Sequence, residues 1–414
     1  MKEKRKYFQP AYVKKFKCDG SKCEASCCKY WIIDIDKASY EAYEKIESEE
    51  KEITSKMKYF EERKGYVALL NKDYACCCLT EDNLCMIQKN YGEKYLSITC
   101  QTYPRSVCKM GDIYERSLSV TCPVVAELAL LPKDVMEFEI VEEPVNKESK
   151  VRTHLSVAQP AIIPHIFKIQ STAISILQER NLTLDQRLAV LGFFLDRVDE
   201  ITATPRFYEV TRLAEIYTQK GFIAENILPL LAEIKFNPKD FVKILIGGVL
   251  QTLYGEENAP RKVFEVVIFD AVQNTLEQNT LELTPDEDGT VSVNDTAEKY
   301  MSLNSRREEF IQRYGTILEN YLVNEFFMHF YPWRLTDKNI LHNYGIFIAT
   351  YKIVELFTFS MAQKYSTVDE SEVVKVITQI SISIDNSTPY IKKISAEMDN
   401  IGDTLKIIST FLQT

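Results

Sequence analysis

The chain has 414 residues, a net charge of −10 and 45% hydrophobic residues. That length and composition suit a folded protein with a buried core and two or three domains. The acidic balance argues against a general nucleic-acid binder, which needs a basic stripe to neutralise phosphates. The basic N-terminus, MKEKRK, is not followed by the apolar stretch of a secretion signal. No transmembrane segment is expected: the most apolar run, Val242 to Leu250, is short and interrupted, and it reads as a buried helix. A cytoplasmic location follows as the expectation. That compartment is reducing, so cysteines there point to metal or redox chemistry rather than to disulfides.

In chain order, the N-terminal part mixes helix and strand signals. Ser39 to Lys58 carries Tyr40, Tyr43 and Ile46 at helical spacing and is predicted helical. Gly65 to Asn71 reads as a strand. Val107–Met110 and Ile113–Val120 flank Gly111-Asp112, a hairpin turn. The stretch Leu131-Pro132-Lys133-Asp134 marks a boundary, and the acidic run Glu137 to Lys150 reads as a connector. Beyond it the signals are helical. Thr183-Leu184-Asp185-Gln186 is a capping box, with Leu184, Leu188, Leu191, Leu195 and Val198 on one face. Thr204-Pro205 opens a further helix with Phe207, Val210, Leu213, Ala214 and Tyr217 inward and Gly221 after it. Phe310, Tyr314, Ile317 and Tyr321 mark another. Residues 280–293 alternate around Pro285 and Gly289 and suggest an exposed hairpin. The expected fold is mainly α: a small mixed α+β cysteine-rich domain, 1–132, followed by a larger helical domain, 133–414.

The cysteines set this division. There are 11, at positions 18, 23, 27, 28, 76, 77, 78, 85, 100, 108 and 122, and none follows Cys122. Residues 18–28 read Cys-x4-Cys-x3-Cys-Cys. Gathered thiolates repel one another unless a cation neutralises them, and a bound metal also deprotonates them. Four suffice for a tetrahedral zinc or for one iron–sulfur cluster. Cys18 and Cys28 complete such a set locally with Cys23 and Cys27, or Cys76, Cys85, Cys100 and Cys122 share in it. Paired Cys-x2-Cys knuckles, the usual zinc signature, are absent, so the irregular spacing leans toward iron–sulfur without excluding zinc.

Other signatures are missing. Cys23-x3-Cys27 begins the Cys-x3-Cys-x2-Cys motif of radical enzymes, but position 30 is Tyr30. There is no glycine-rich dinucleotide loop, P-loop or His-Glu-x-x-His. The four histidines, His154, His165, His329 and His342, lack a ligand-like spacing.

Three blocks, however, are specific in spacing and residue type together. The first is Pro10-Ala11-Tyr12-Val13, then Phe16 to Cys28, then Trp31 to Asp36. The second runs from Cys76-x2-Leu79 and Leu84-Cys85-Met86-Ile87-Gln88 through Tyr91-Gly92-Glu93 and Thr99-Cys100 to Thr102-Tyr103-Pro104-Arg105. The third is Ser119-Val120-Thr121-Cys122-Pro123. With a sparser block at Glu319–Phe326, Phe330 and Pro332, the chain resembles the flagellin lysine-N-methylase family. The resemblance implies transfer of methyl groups from S-adenosylmethionine to lysines of flagellin, before export, in the cytoplasm. It also implies a 4Fe–4S cluster, with zinc as the alternative metal. It narrows the metal ligands to Cys18, Cys23, Cys27, Cys28, Cys76, Cys85, Cys100 and Cys122, and demotes Cys77, Cys78 and Cys108. A non-enzymatic zinc- or iron-binding protein is the competing reading.

Lysine methylation needs a neutral amine, whereas free lysine has a pKa of about 10.4. Tyr103, Asp34, Asp36 and Glu325 are candidates for removing or cradling that proton. Trp31 and Tyr30 offer aromatic faces to a cationic amine or sulfonium. Arg105 suits a carboxylate such as the amino-acid end of the cofactor. The helical part carries no chemical signature and is expected to recognise the protein substrate.

Overall fold

The computed structural model describes residues 4–20, 23, 27–29, 33–46, 52–61, 64–72, 75–111, 113–145, 151, 153–154, 160–245, 293–333, 338–365, 368–384 and 388–414. It is mainly helical, with its strands and cysteines in the N-terminal part.

Strands β1 (Lys4–Pro10), β5 (Arg105–Met110), β6 (Ile113–Leu118), β7 (Phe138–Pro144) and β8 (Thr153–His154) form one sheet in the order β7-β1-β6-β5-β8. β1 runs parallel to β6 and antiparallel to β7; β5 and β6 are an antiparallel hairpin. Gly111 turns that hairpin with φ of +58°, a conformation that glycine adopts without Cβ strain. A smaller antiparallel sheet joins β2 (Ile33–Ile35), β4 (Gly65–Ala68) and β3 (Met57–Phe60). Beside it lie α1 (Lys37–Ile46), α2 (Met86–Tyr91) and α3 (Ile98–Thr102), and α4 (Pro123–Leu130) follows the hairpin.

The helical part comprises α5 (Ile163–Leu177), α6 (Leu184–Thr202), α7 (Glu209–Thr218), α8 (Leu228–Leu231), α9 (Val293–Ser302), α10 (Asn304–Met328), α11 (Ile340–Lys364), α12 (Glu370–Ile384), α13 (Thr388–Ile401) and α14 (Thr404–Phe411). The capping box forms as read: Gln186 N–H donates to Thr183 Oγ1 and Thr183 N–H to Gln186 Oε1. The apolar faces of α6 and α10 are buried as their spacing predicted.

Three expectations need correction. The helix read over Ser39 to Lys58 stops at Ile46, and Met57 and Lys58 belong to β3. The charged face that suggested helix also suits a two-sided sheet edge. The helix read from Pro205 begins at Glu209, after a turn in which Thr204 Oγ1 donates to the Ile201 carbonyl. The stretch read as a connector holds β7, whose seven residues pair with β1. Val242, Ile244 and Leu245 are helical and buried as read, and the rest of that run lies outside the described residues. Among the described residues α11 is long and apolar enough to cross a membrane, yet 83% of its most apolar stretch is buried within the protein. Dilution by Lys352 and Glu355 hides it from a search for unbroken apolar runs. The hairpin read over 280–293 lies outside the described residues, apart from Val293, which begins α9.

Two apolar clusters exist. The smaller joins Ile33, Ile35, Tyr43, Met57, Ala68, Met86, Ile87 and Leu96 with several cysteines. The larger draws on both sides of residue 132, from Phe8 and Val120 to Phe327 and Leu412. Within it, α11 and α6 approach so closely that a Cβ at Gly192 would stand 2.3 Å from the Tyr344 hydroxyl.

A buried charge network crosses this core. Arg307 bonds Glu355 and Asp185 (the latter at 3.0 Å), and Lys352 bonds the same two carboxylates. Two cations and two anions balance, so no net charge is desolvated. Lys352→Met leaves Arg307 as the one cation for both carboxylates. Urea unfolding should show a loss of about 3–5 kcal/mol; a change within experimental error would show that the network is not stabilising.

Glu115 is the buried carboxyl of the larger sheet. Burial pushes it from 4.5 up to about 8, against a hydrogen bond from Gln170 that pulls it down. Glu115 is protonated in the folded chain over a range where the unfolded chain has released its proton. The stability is therefore full below the ordinary carboxylate value and is lost as pH rises toward 8. Urea unfolding between about pH 5 and 8 should decline by up to about 1.4 kcal/mol per pH unit. Glu115→Gln should remove that part of the slope; an unchanged slope would refute the assignment.

Candidate metal centre

The cysteines sit where short elements of the N-terminal part converge. Cys76 N–H donates to the Cys28 carbonyl at 2.7 Å, and Lys29 bridges to Ala75, so these two cysteine-bearing segments lie side by side. Leu79 bridges to Cys85, which folds residues 76–85 into a tight return. Cys85 is the N-cap of α2 and Cys122 the N-cap of α4. The positive end of a helix favours a thiolate there. Cys100 lies in the first turn of α3, its N–H donating to the cap residue Ser97.

Asp36 holds this arrangement. One oxygen accepts from Ser39 N–H at 3.1 Å, which caps α1. The other accepts from the Ser39 hydroxyl at 2.8 Å and from Ile98 N–H at 2.9 Å, which anchors α3.

Hydrogen bonds between neighbouring thiols weigh most on Cys27 and Cys77, whereas burial weighs most on Cys100, Cys85 and Cys122. Burial pushes Cys100 up to about 12, with Cys28, Cys85 and Cys76 adding to the rise and Ser97 opposing it. It raises Cys85, where Cys28 and Cys76 again contribute and the amides of Gln88 and Ile87 oppose. It pushes Cys122 up to about 11, with Cys23 and Cys18 adding and the Val125 and Val124 amides opposing. Cys27 is raised by its hydrogen bond with Cys28, by burial and by Cys28, Cys100 and Cys18. Cys77 is lowered, first by hydrogen bonds from Cys76 and Cys78. Most of these thiols thus stay protonated unless a cation compensates them. The donors are all soft sulfur, which fits zinc or an iron–sulfur cluster and not a hard cation.

Spacing carries further information. Zinc–sulfur bonds of about 2.3 Å place tetrahedral thiolates roughly 3.8 Å apart. Among the described residues, only Cys76, Cys77 and Cys78 form a trio of possible ligands whose sulfurs all lie within 4.8 Å of one another. Cys77 is engaged otherwise: its thiol donates to the Lys56 carbonyl at 3.0 Å. Sequence reading demoted Cys77 and Cys78; the consecutive run itself was the signal of their proximity. Cys108, on β5, is fully buried and its thiol points to the Lys109 carbonyl.

The other candidates divide. Tyr103 caps the end of α3, and its hydroxyl shares a hydrogen bond with Thr121 at 3.1 Å, one residue from Cys122. Arg105 places its guanidinium 5.0 Å from the centre of the Phe16 ring, two residues before Cys18. Asp34 is exposed on β2, and Asp36 is the capping residue just described. Glu325 lies on α10 instead. It bonds His329 at 3.1 Å in a small pocket lined by Tyr321, Tyr331, Phe347 and Tyr351. Trp31 and Tyr30 lie outside the described residues. His342 bonds Ser395 at 2.8 Å.

Comparison with known proteins decides the family. The FliB lysine N-methylase C-terminal domain matches residues 170–410, more than half of the chain. The chain belongs to the FliB lysine N-methylase family. A lysine-N-methylase of Salmonella typhimurium is 33% identical over 148 residues, 33% of this chain and 36% of that protein. A lysine-N-methylase of Salmonella choleraesuis gives the same figures. The flagellar biosynthetic protein FliU of Salmonella muenchen is 34% identical over 135 residues, 31% of this chain and 79% of that protein. The match thus spans about a third of the length of the two lysine-N-methylases. No solved structure matches.

Asp36→Ala removes the α1 cap and the α3 anchor together. It should cost about 1–2 kcal/mol in urea unfolding, with Asp36→Asn, which keeps a capping oxygen, losing less. Equal stability of Asp36→Ala and the unmodified chain would refute the anchoring role.

Proposed function

We propose that this protein is a lysine N-methyltransferase that moves a methyl group from S-adenosylmethionine to lysine side chains of flagellin in the cytoplasm. It does so with a cysteine-ligated 4Fe–4S cluster. The observation that carries the reading is the gathering of soft sulfur donors in one small core of a chain that belongs to the FliB lysine N-methylase family. The names of the Salmonella relatives, lysine-N-methylase and flagellar biosynthetic protein, support the reaction and the substrate.

Residues 1–132 would hold the metal centre, and 133–414 would recognise the substrate. Cys18, Cys23, Cys27, Cys28, Cys76, Cys85, Cys100 and Cys122 are its proposed ligands. When bound, the cluster supplies Lewis-acidic iron and one-electron chemistry. The chain's own residues must position the cofactor and take the lysine proton. Arg105, stacked on Phe16 near Cys18, suits the cofactor carboxylate. Tyr103, bonded to Thr121, is the candidate for the lysine amine. Asp36 is the weaker candidate, since both of its oxygens already serve in capping and anchoring.

The test uses the full chain purified without oxygen. Iron and sulfide are measured, and the protein is incubated with S-adenosylmethionine and flagellin. Lysine peptides should gain mass in single-methyl steps. Stripping the iron with a chelator should abolish methylation while helical circular dichroism persists. Full methylation by the folded, iron-free chain would overturn the role of the cluster, and absence of methylation by the iron-loaded chain would overturn the activity.

A further inference from the structure

We propose that a small pocket between α10 and α11 docks the primary ammonium of a lysine side chain, with Glu325 as its counter-charge, and that this lysine is one the protein does not methylate. The ammonium site stands on its own geometry. Assigning the lysine to the protein substrate rests on the methyltransferase reading.

Glu325 lines the pocket together with Tyr321 on the same helix, Phe347 and Tyr351 on α11, and Tyr331 in the turn between the two helices. All five are buried. The turn is bent to bring Tyr331 back. Phe330 takes φ of +53°, in the left-handed region that a bulky side chain enters only at a cost, and Tyr331 N–H then donates to the Phe326 carbonyl at 3.1 Å. The Tyr331 ring stands 4.7 Å from Phe347 and 6.1 Å from His329, centre to centre. Rings packed on one another hold the lining in place before a ligand arrives, which lowers the cost of binding.

Charge and size select the occupant. The Glu325 side chain is 6% exposed, and its carboxylate meets Asn324 Nδ2 at 3.3 Å and His329 Nε2 at 3.1 Å. Among the described residues no lysine or arginine pairs with it. Lys352, whose Nζ lies 5.5 Å from the centre of the Tyr351 ring, is taken by Asp185 and Glu355. A neutral His329 satisfies one oxygen as an N–H donor and leaves the negative charge uncompensated. A buried carboxylate is costly unless a cation joins it, and the surrounding rings attract the same sign of charge. An amine answers both demands, whereas an anion or a neutral group answers neither. The cavity measures about 30 Å³, and one water needs roughly 10–15 Å³. It therefore takes an ammonium with its last methylene and excludes a trimethylammonium or a nucleoside. No methyl donor fits beside the amine, so a lysine seated here is held and not methylated. His329, Thr350 and Ile391 are half-buried and form the mouth. Asn324, next to Glu325, bonds Tyr12 and the Leu118 carbonyl, so a substrate anchored here lies beside the part that carries the cysteines.

The probe is n-butylammonium, the lysine side chain cut at its Cα, titrated into the full chain and followed by saturation-transfer NMR. It should bind, with 1-butanol and butyltrimethylammonium at least about tenfold weaker. Glu325→Gln keeps the shape and removes the charge, and it should weaken butylammonium by at least about tenfold. Ile391→Trp, which narrows the mouth, should do the same. Glu41→Gln, which removes an exposed carboxylate on α1, should change nothing. Circular dichroism and urea unfolding verify the fold of each variant. With flagellin as substrate, Glu325→Gln should raise KM by about tenfold and lower kcat far less, because docking is lost and not chemistry. Failure of butylammonium to bind the unmodified chain, or equal binding by Glu325→Gln, overturns the pocket and leaves the methyltransferase reading intact. A fall in kcat larger than the rise in KM overturns the docking role. If butylammonium binds as expected and flagellin is not methylated, the methyltransferase reading falls and the ammonium site stands.

Discussion

Asn320 and Asn324 occupy neighbouring turns of α10 and fasten the N-terminal part to the helical part, and Glu319 beside them ties α10 to the start of α6. Glu319 accepts from Arg180 and from Arg187, in the latter case at 2.7 Å, with its carboxylate almost wholly removed from solvent. Asn320 donates to the Leu130 and Pro132 carbonyls at the end of α4. Asn324 bonds the Tyr12 hydroxyl and reaches the Leu118 carbonyl at the end of β6. Buried polar groups are costly unless paired, so these bonds admit one docking geometry and penalise others. The helix that supplies them also buries Phe310, Tyr314, Ile317 and Phe326, so the specificity rests on an apolar foundation.

This seam bears on the cysteines. Tyr12 precedes the first of them by six residues, and Leu118 and Leu130 bracket the segment with Cys122. The positions of Cys18 and Cys122 therefore depend on α10, whereas those of Cys28, Cys76, Cys85 and Cys100 depend on the smaller core and on Asp36. The block Glu319–Phe326, the sparse part of the resemblance, acts mostly as a fastening. Glu325 and Tyr321 turn to an aromatic pocket, and there Glu325 bonds His329.

Legibility followed the range of the interaction. The capping box at Thr183, the hairpin at Gly111 and the buried faces of α6 and α10 are set by residues a few positions apart, and periodicity exposes them. The clustering of cysteines before Cys122 was equally plain, because thiols at such density point to a shared cation whatever the fold around them. What escaped was long-range. The pairing of β7 with β1 joins residues more than a hundred positions apart, and an acidic strand looks like a linker until its partner is known. The sorting of the cysteines depends on which core each segment joins, and no local spacing encodes that. The burial of Glu115 was hidden too, since its strand is covered by α5 only in three dimensions.

β7 has one more implication. It lies at one edge of the five-stranded sheet, and β8 closes the other with two residues. An edge offers unpaired amides and carbonyls to any extended chain that approaches. Along β7, Glu139, Glu142 and Glu143 place three carboxylates, and Pro144 removes an amide donor. A second copy aligned there would meet side chains already tied to Lys14, Lys4 and Arg116 and one missing amide, and the described part of the other rim is two residues long. The sheet thereby guards against growing into an aggregate of stacked chains, and the acidic run that resembled a tether serves as its border.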